Sequence, residues 1–212
     1  MTTHLSLQRM LVPTAQVSSL AEGTVTLPSA RKQATAIPFQ AMESIQTASG
    51  SGTSYTFSNI PDGFTHLELH LTTRNTQAAS SWDWVYFQLN DDAGGNYYMY
   101  GLQAVQSGSS LSPTYALGST IGYAGATPQG STTSGSVSGT IIRLLNYSNR
   151  DRMTTFQSLS SCDVNSSESI FMMLSGHWNN KAVVNKITIA NTPSRTFDSI
   201  SHVELYGIKA EW

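Results

Sequence analysis

The chain has 212 residues, a formal net charge of −2, a single cysteine and only 11% charged residues. Ordinary soluble domains carry about 25%, so polarity here must come from Ser, Thr, Asn and Gln, which compete with helical hydrogen bonds and leave β structure favoured. With no basic excess to neutralise phosphates, no second cysteine for an internal disulfide or cysteine-rich zinc site, and no apolar run near the ~20 residues that cross a bilayer, the composition excludes nucleic acid as partner, covalent staples and membrane insertion.

Residues 1–38 show no sustained period of 2 or 3.6. Short apolar pairs such as Leu11-Val12 are broken by Pro13, Gly23, Pro28 and Pro38. Fully extended, such a segment reaches on the order of 130 Å, far enough to cross a neighbouring subunit. Its scattered Leu5, Leu7, Val17, Leu20 and Leu27 are more apolar than a purely solvated tail requires. The expected organisation is an extended N-terminal arm over 1–38 that attaches to neighbouring subunits, followed by a β domain over 39–212.

From about residue 41 short strands alternate with Gly, Ser, Asn and Pro clusters. Tyr55 and Phe57 alternate with Ser54, Thr56 and Ser58, and the run Asn59 to Gly63 forms a turn. Leu67, Leu69 and Leu71 then face one way while His66, Glu68 and His70 face the other, the signature of a half-buried strand. Between Trp82 and Leu89 both faces are apolar: Val85, Phe87 and Leu89 on one, Trp82, Trp84 and Tyr86 on the other. One face fills a core, and the other needs cover from a second sheet, the chain's own loops or another subunit.

The turn Asn90 to Asn96 leads into a strand at Tyr97 to Leu102, and the Gly/Ser/Thr-rich stretch Gln106 to Gly139 reads as loops around one short strand. Further strands are predicted at Ile142 to Tyr147, Thr154 to Asp163, Ser169 to Trp178, Val183 to Ala190 and Ile200 to Ile208. The last is expected inside a sheet, paired with a strand near Met42 to Ala48. Roughly nine or ten strands at 8–12-residue spacing point to a sandwich or a barrel, and no helix longer than about two turns is predicted.

The order of several short segments carries a resemblance. Met42-Glu43-Ser44-Ile45 precedes Tyr55-Thr56-Phe57-Ser58-Asn59-Ile60-Pro61, Phe64-Thr65-His66-Leu67-Glu68-Leu69, Phe87-Gln88-Leu89-Asn90-Asp91 and Asn96-Tyr97-Tyr98. Ile142-Arg143-Leu144-Leu145-Asn146-Tyr147, Ser175-Gly176-His177-Trp178-Asn179-Asn180, Ile187-Thr188-Ile189 and Val203-Glu204-Leu205-Tyr206-Gly207-Ile208 follow. The string, over roughly residues 41 to 209, resembles a family of small virion proteins of tailed bacteriophages, described as tail-fibre or minor structural proteins. The resemblance implies an antiparallel, jelly-roll-like β-sandwich without catalysis, made in the host bacterial cytoplasm and built into the virion as tail fibre, tail-tip component or head decoration. It also implies other virion proteins as partners and a homo-oligomer, with a trimer as the fibre-like expectation.

No hydrolase motif of the form Gly-x-Ser-x-Gly occurs, so no catalytic residue is predicted. His66, Glu68 and His70 share a strand face that a metal could use, and Asn90, Asp91, Asp92 and Asn96 are rich in oxygen, yet neither set completes a zinc or EF-hand pattern. No metal and no cofactor is expected. The sequons at Asn146 and Asn165 carry no meaning for a bacterial cytoplasmic product. The candidate binding residues are aromatic: Trp82, Trp84, Tyr86, Tyr98 and Trp178 either stack on host-surface carbohydrate or pack into a core or subunit interface. Limited proteolysis of the isolated protein should remove residues before about Phe39 and leave a folded domain; resistance of that segment would contradict the arm.

Overall fold

The computed structural model describes residues 39–46, 52–106, 110–164, 168–191 and 195–209. The arm and the sequon at Asn165 lie outside them. Among the described residues there are twelve strands: β1 Phe39–Gln46, β2 Ser54–Ser58, β3 His66–Thr73, β4 Trp82–Leu89, β5 Tyr97–Val105, β6 Ser110–Ser119, β7 Gly122–Pro128, β8 Ser138–Leu145, β9 Thr154–Cys162, β10 Ile170–Trp178, β11 Lys186–Asn191 and β12 His202–Ile208. They form an eight-stranded sheet, β1-β12-β3-β8-β9-β10-β5-β6, and a four-stranded sheet, β2-β11-β4-β7.

The chain is an all-β antiparallel sandwich, and its topology is a jelly roll. The strands β1-β2-β3-β4 run out and β7-β8-β11-β12 run back, so that β4 pairs with β7, β3 with β8, β2 with β11 and β1 with β12. This nested ribbon is rolled up until β12 also pairs with β3 and β11 with β4. Two Greek keys result. The hairpins β5-β6 and β9-β10 are insertions into the ribbon, and both extend the larger sheet beyond β8.

Inward residues of both sheets make one core: Leu67, Leu69, Ile142, Leu144, Phe156, Val203 and Leu205 from the larger sheet, and Phe57, Val85, Phe87, Leu89, Ile187 and Ile189 from the smaller. The period-2 alternation in β3 and β4 thus has the predicted sense. The final strand β12 lies between β1 and β3, with Ile45 opposite Val203 and Leu205 opposite Leu69.

The stretch Gln106 to Gly139 departs from the expectation of loops around one short strand: it holds both β6 and β7. β7 reads Gly-Tyr-Ala-Gly-Ala-Thr-Pro, a weak strand former by propensity. Close packing compensates. The Ser158 hydroxyl donates to the Ala124 carbonyl, the Ala126 amide donates to Ser160 Oγ, and a Cβ at Gly125 would collide with the Ser160 side chain. β6 tolerates Pro113 because it is the edge of its sheet, where a missing N–H breaks no ladder.

Removing β12 opens the hydrogen-bond ladders of both its neighbours, β1 and β3. Burial of Val203 and Leu205 is worth roughly 1.5–3 kcal/mol each, a large fraction of the ~5–15 kcal/mol that holds a domain. Truncation after Ser199 should therefore give insoluble protein, checked by the soluble fraction on expression. A milder variant reads the same strand: a Cβ at Gly207 would stand 2.5 Å from Cδ1 of the Phe64 ring. Gly207→Ala should lower stability by about 1–3 kcal/mol in chemical denaturation through this overpacking.

Candidate functional site

Of the five candidate aromatics, Trp82, Trp84 and Tyr86 stand half-buried on β4, alternating with the buried Asp83, Val85 and Phe87. The cover that this second face requires comes from within the chain. Trp82 and Trp84 pack with Val105 against a small cluster of Ala126, Cys162, Val164, Ile170 and Met172. Edge-to-face contacts join Trp82 to Trp84 at 5.6 Å and Trp84 to Tyr123 at 4.9 Å. Trp84 and Tyr123 also line a cavity of about 150 Å³ closed by Met99, Ala116 and Leu174 of the larger sheet.

Tyr98 stacks flat on His177, 5.2 Å between centroids at 5°. Trp178 is fully buried. Its indole N–H donates to Asp92 Oδ2 at 2.6 Å, which places it in the core and away from any surface ligand. The same carboxylate answers the calcium question. Asp92 accepts from the Gly94 amide and from Asn96 Nδ2, Asn90 Oδ1 accepts from the Asn185 and Lys186 amides, and Asp91 pairs with Lys186. These oxygens hold the turn that carries the chain from β4 in the smaller sheet to β5 in the larger, a crossing between sheets rather than a hairpin, with Asn90 and Asp91 in the left-handed region. Among the described residues no group of three His, Cys, Asp or Glu side chains could hold a metal ion.

The histidine face is likewise committed to protein partners. The Asn146 amide donates to His66 Nδ1 at 3.0 Å, while Glu68 lies 2.8 Å from His70 Nε2 and 2.5 Å from Arg143 Nε. Burial pushes the Glu68 carboxyl up, but the hydrogen bonds and charges of Arg143 and His70 outweigh it and hold it below the usual carboxylate range.

Among the described residues, the surface without an internal partner is the outer face of the larger sheet. Ile141 lies opposite Leu159, Leu159 opposite Met173, Met173 opposite Leu102 and Leu102 opposite Pro113, an apolar row across β8-β9-β10-β5-β6. The next row over carries Phe171, Ala104 and Leu111. On the other side run Arg143, Gln157, Ser175, Tyr100 and Tyr115, the two tyrosine rings 6.4 Å apart and inclined at 29°. Tyr115 is 69% exposed, Tyr100 62% and Met173 52%. At roughly 200 Å² per large side chain, the exposed apolar groups of this face sum to on the order of 1,000 Å², against about 300–600 Å² for the largest patch on a typical monomer.

Arg143 is the only formal charge in these rows, and it is already paired with Glu68. One signal in the sequence does point here: Ile170-Phe171-Met172-Met173-Leu174 is apolar on both faces, as Trp82 to Leu89 is, and asks for the same double cover.

Comparison of the chain with models of protein families, with curated proteins and with solved structures finds no match.

The Asp92–Trp178 contact yields an acid-stability expectation. Burial raises the Asp92 carboxyl, but hydrogen bonds from Asn96, Gly94, Trp178 and Asn180 prevail and depress it. A depressed carboxylate contributes stability that is present above its unfolded value and lost as pH falls through its folded one. Asp92→Asn should therefore cost about 1–2 kcal/mol at pH 7, discounted for solvent screening, and the gap to the parent should close below about pH 4. Thermal melts across this range check it; a gap independent of pH would assign the contact no charge component.

Proposed function

We propose that the chain is a non-catalytic structural component of a tailed bacteriophage particle, a tail-fibre, tail-tip or head decoration protein that assembles through its β-sandwich and its N-terminal arm. The observation that carries the assembly role is the apolar outer face of β8-β9-β10-β5-β6, with Arg143 as the one charge in its rows, whose exposed apolar area exceeds the largest patch on a typical monomer. The ordered string of segments from Met42 to Ile208 supports the phage assignment. The jelly roll accords with it, since capsid and lectin domains recur on that fold, though a fold alone carries no function.

A second reading, a receptor-binding module for host-surface carbohydrate, draws on the same face. A groove of about 450 Å³ is lined by Tyr100, Leu102, Arg143, Gln157, Leu159 and Met173, so an aromatic ring stands beside polar side chains that could hold sugar hydroxyls. A face closed against protein is not open to sugar, and the two readings separate on that point. In purified particles, mass spectrometry and antibody labelling should find the parent chain, and the doubly substituted Leu102→Glu, Met173→Glu chain should fail to incorporate. Absence of the parent chain from particles overturns the proposal. Glycan-array binding that is abolished by Tyr100→Ala would favour the second reading.

A further inference from the structure

We infer that the outer face of β8-β9-β10-β5-β6 is the contact between two copies of this chain, packed sheet against sheet about a two-fold axis that passes Met173. The inference rests on the reading of this face as an assembly surface and adds its occupant. Size is the first argument: on the order of 1,000 Å² per copy meets the ~800 Å² per partner of a standard stable interface.

Charge is the second. A partner recognised through acidic or basic groups would need complementary charges here, and Arg143 is satisfied internally by Glu68. Two copies of a face whose one charge, Arg143, is already paired with Glu68 meet with little repulsion, which a strongly charged face could not do. Symmetry is the third. The apolar row is centred on β10, with β9 and β8 on one side and β5 and β6 on the other. A single centred patch satisfies itself in an isologous, two-fold contact, whereas a three-fold ring needs two different patches on each copy. Sheets that pack face to face lie about 10 Å apart, close enough for Leu102, Leu159 and Met173 of the facing copies to interdigitate.

The axis makes the test direct, because residues beside it face their own equivalents. The native Cys162 is buried, and burial pushes its thiol up to about 12, so it does not compete for a thiol reagent. In the full-length Met173→Cys protein, a bismaleimide with a span of about 8 Å should give covalent dimers, since it matches the ~10 Å separation of stacked sheets. Light scattering of the parent chain at micromolar concentration should give twice the monomer mass. Leu102→Glu with Leu159→Glu should weaken the dimer at least ~100-fold, abolish the cross-link and leave a cooperatively melting monomer, its melt lowered only by the lost association, because both side chains are solvent-exposed in the single chain.

A trimeric mass, a dimer that survives the double substitution, or no cross-link would each overturn the inference. So would a monomer whose Met173→Cys thiol is slow to react, which would assign the face to the N-terminal arm instead. A monomer that still enters particles would refute only the paired copies. A dimer absent from particles would refute only the phage role.

Discussion

A sheet of eight strands packed against a sheet of four has more inward surface than its partner can cover. The surplus lies at one end, where β5 and β6 continue past the β7 edge of the smaller sheet. It is closed by contact with that edge: β7 packs over β8, β9 and β10, and its small residues Ala124, Gly125 and Ala126 admit the close approach. The second face of β4 is thereby drawn indoors, and Trp82 and Trp84 acquire neighbours from β5 and β10. The outer side of the same strands has no such recourse, which is why the unpartnered apolar rows fall there.

The scarcity of charge has an internal counterpart. Where the core approaches the β7–β8 connection it is built of hydroxyls: Thr73 pairs with Ser138, Thr140 with Ser160, and Ser160 with the Ala126 amide. Each such bond is worth only about 1 kcal/mol net, but an unmade one would cost more. The buried Arg74 completes the arrangement. Its guanidinium donates to Thr132 Oγ1 and to the carbonyls of Gly130, Thr132, Thr133 and Ser136, and its backbone N–H donates to Ser201 Oγ. A connection that reads as an unconstrained Gly/Ser loop is in this way gathered around one side chain.

Much of this sandwich is legible in single strands. The alternation of Leu67, Leu69 and Leu71 and of Val85, Phe87 and Leu89 names the inner faces, and β12 pairs with β1 near Met42 as expected, while its pairing with β3 on the other side is not legible in the sequence. β6 and β7 are not legible, because Gly, Ala, Ser and Pro form strands only when packing holds them, and packing is not local. The site fails to show for a related reason. Ile141, Leu159, Met173 and Leu102 are single apolar residues on four strands, and only the register brings them into one row. Large aromatics draw the eye instead, yet their size is what sends Trp178 into the core.

The nested ribbon also sets an order of events during synthesis. Its apex, β4 with β7, is complete once residue 128 has left the ribosome, whereas β1, made first among the described strands, meets β12 only once residue 208 has emerged. Closure therefore runs from the middle outward, against the direction of translation. Contacts of such high sequence separation put the domain at the slow end of folding, in the milliseconds-to-seconds range of β-sandwiches. Until β12 is inserted, the edge of β3 stays open and the nascent chain is exposed to wrong partners, which gives a holding chaperone its interval to act.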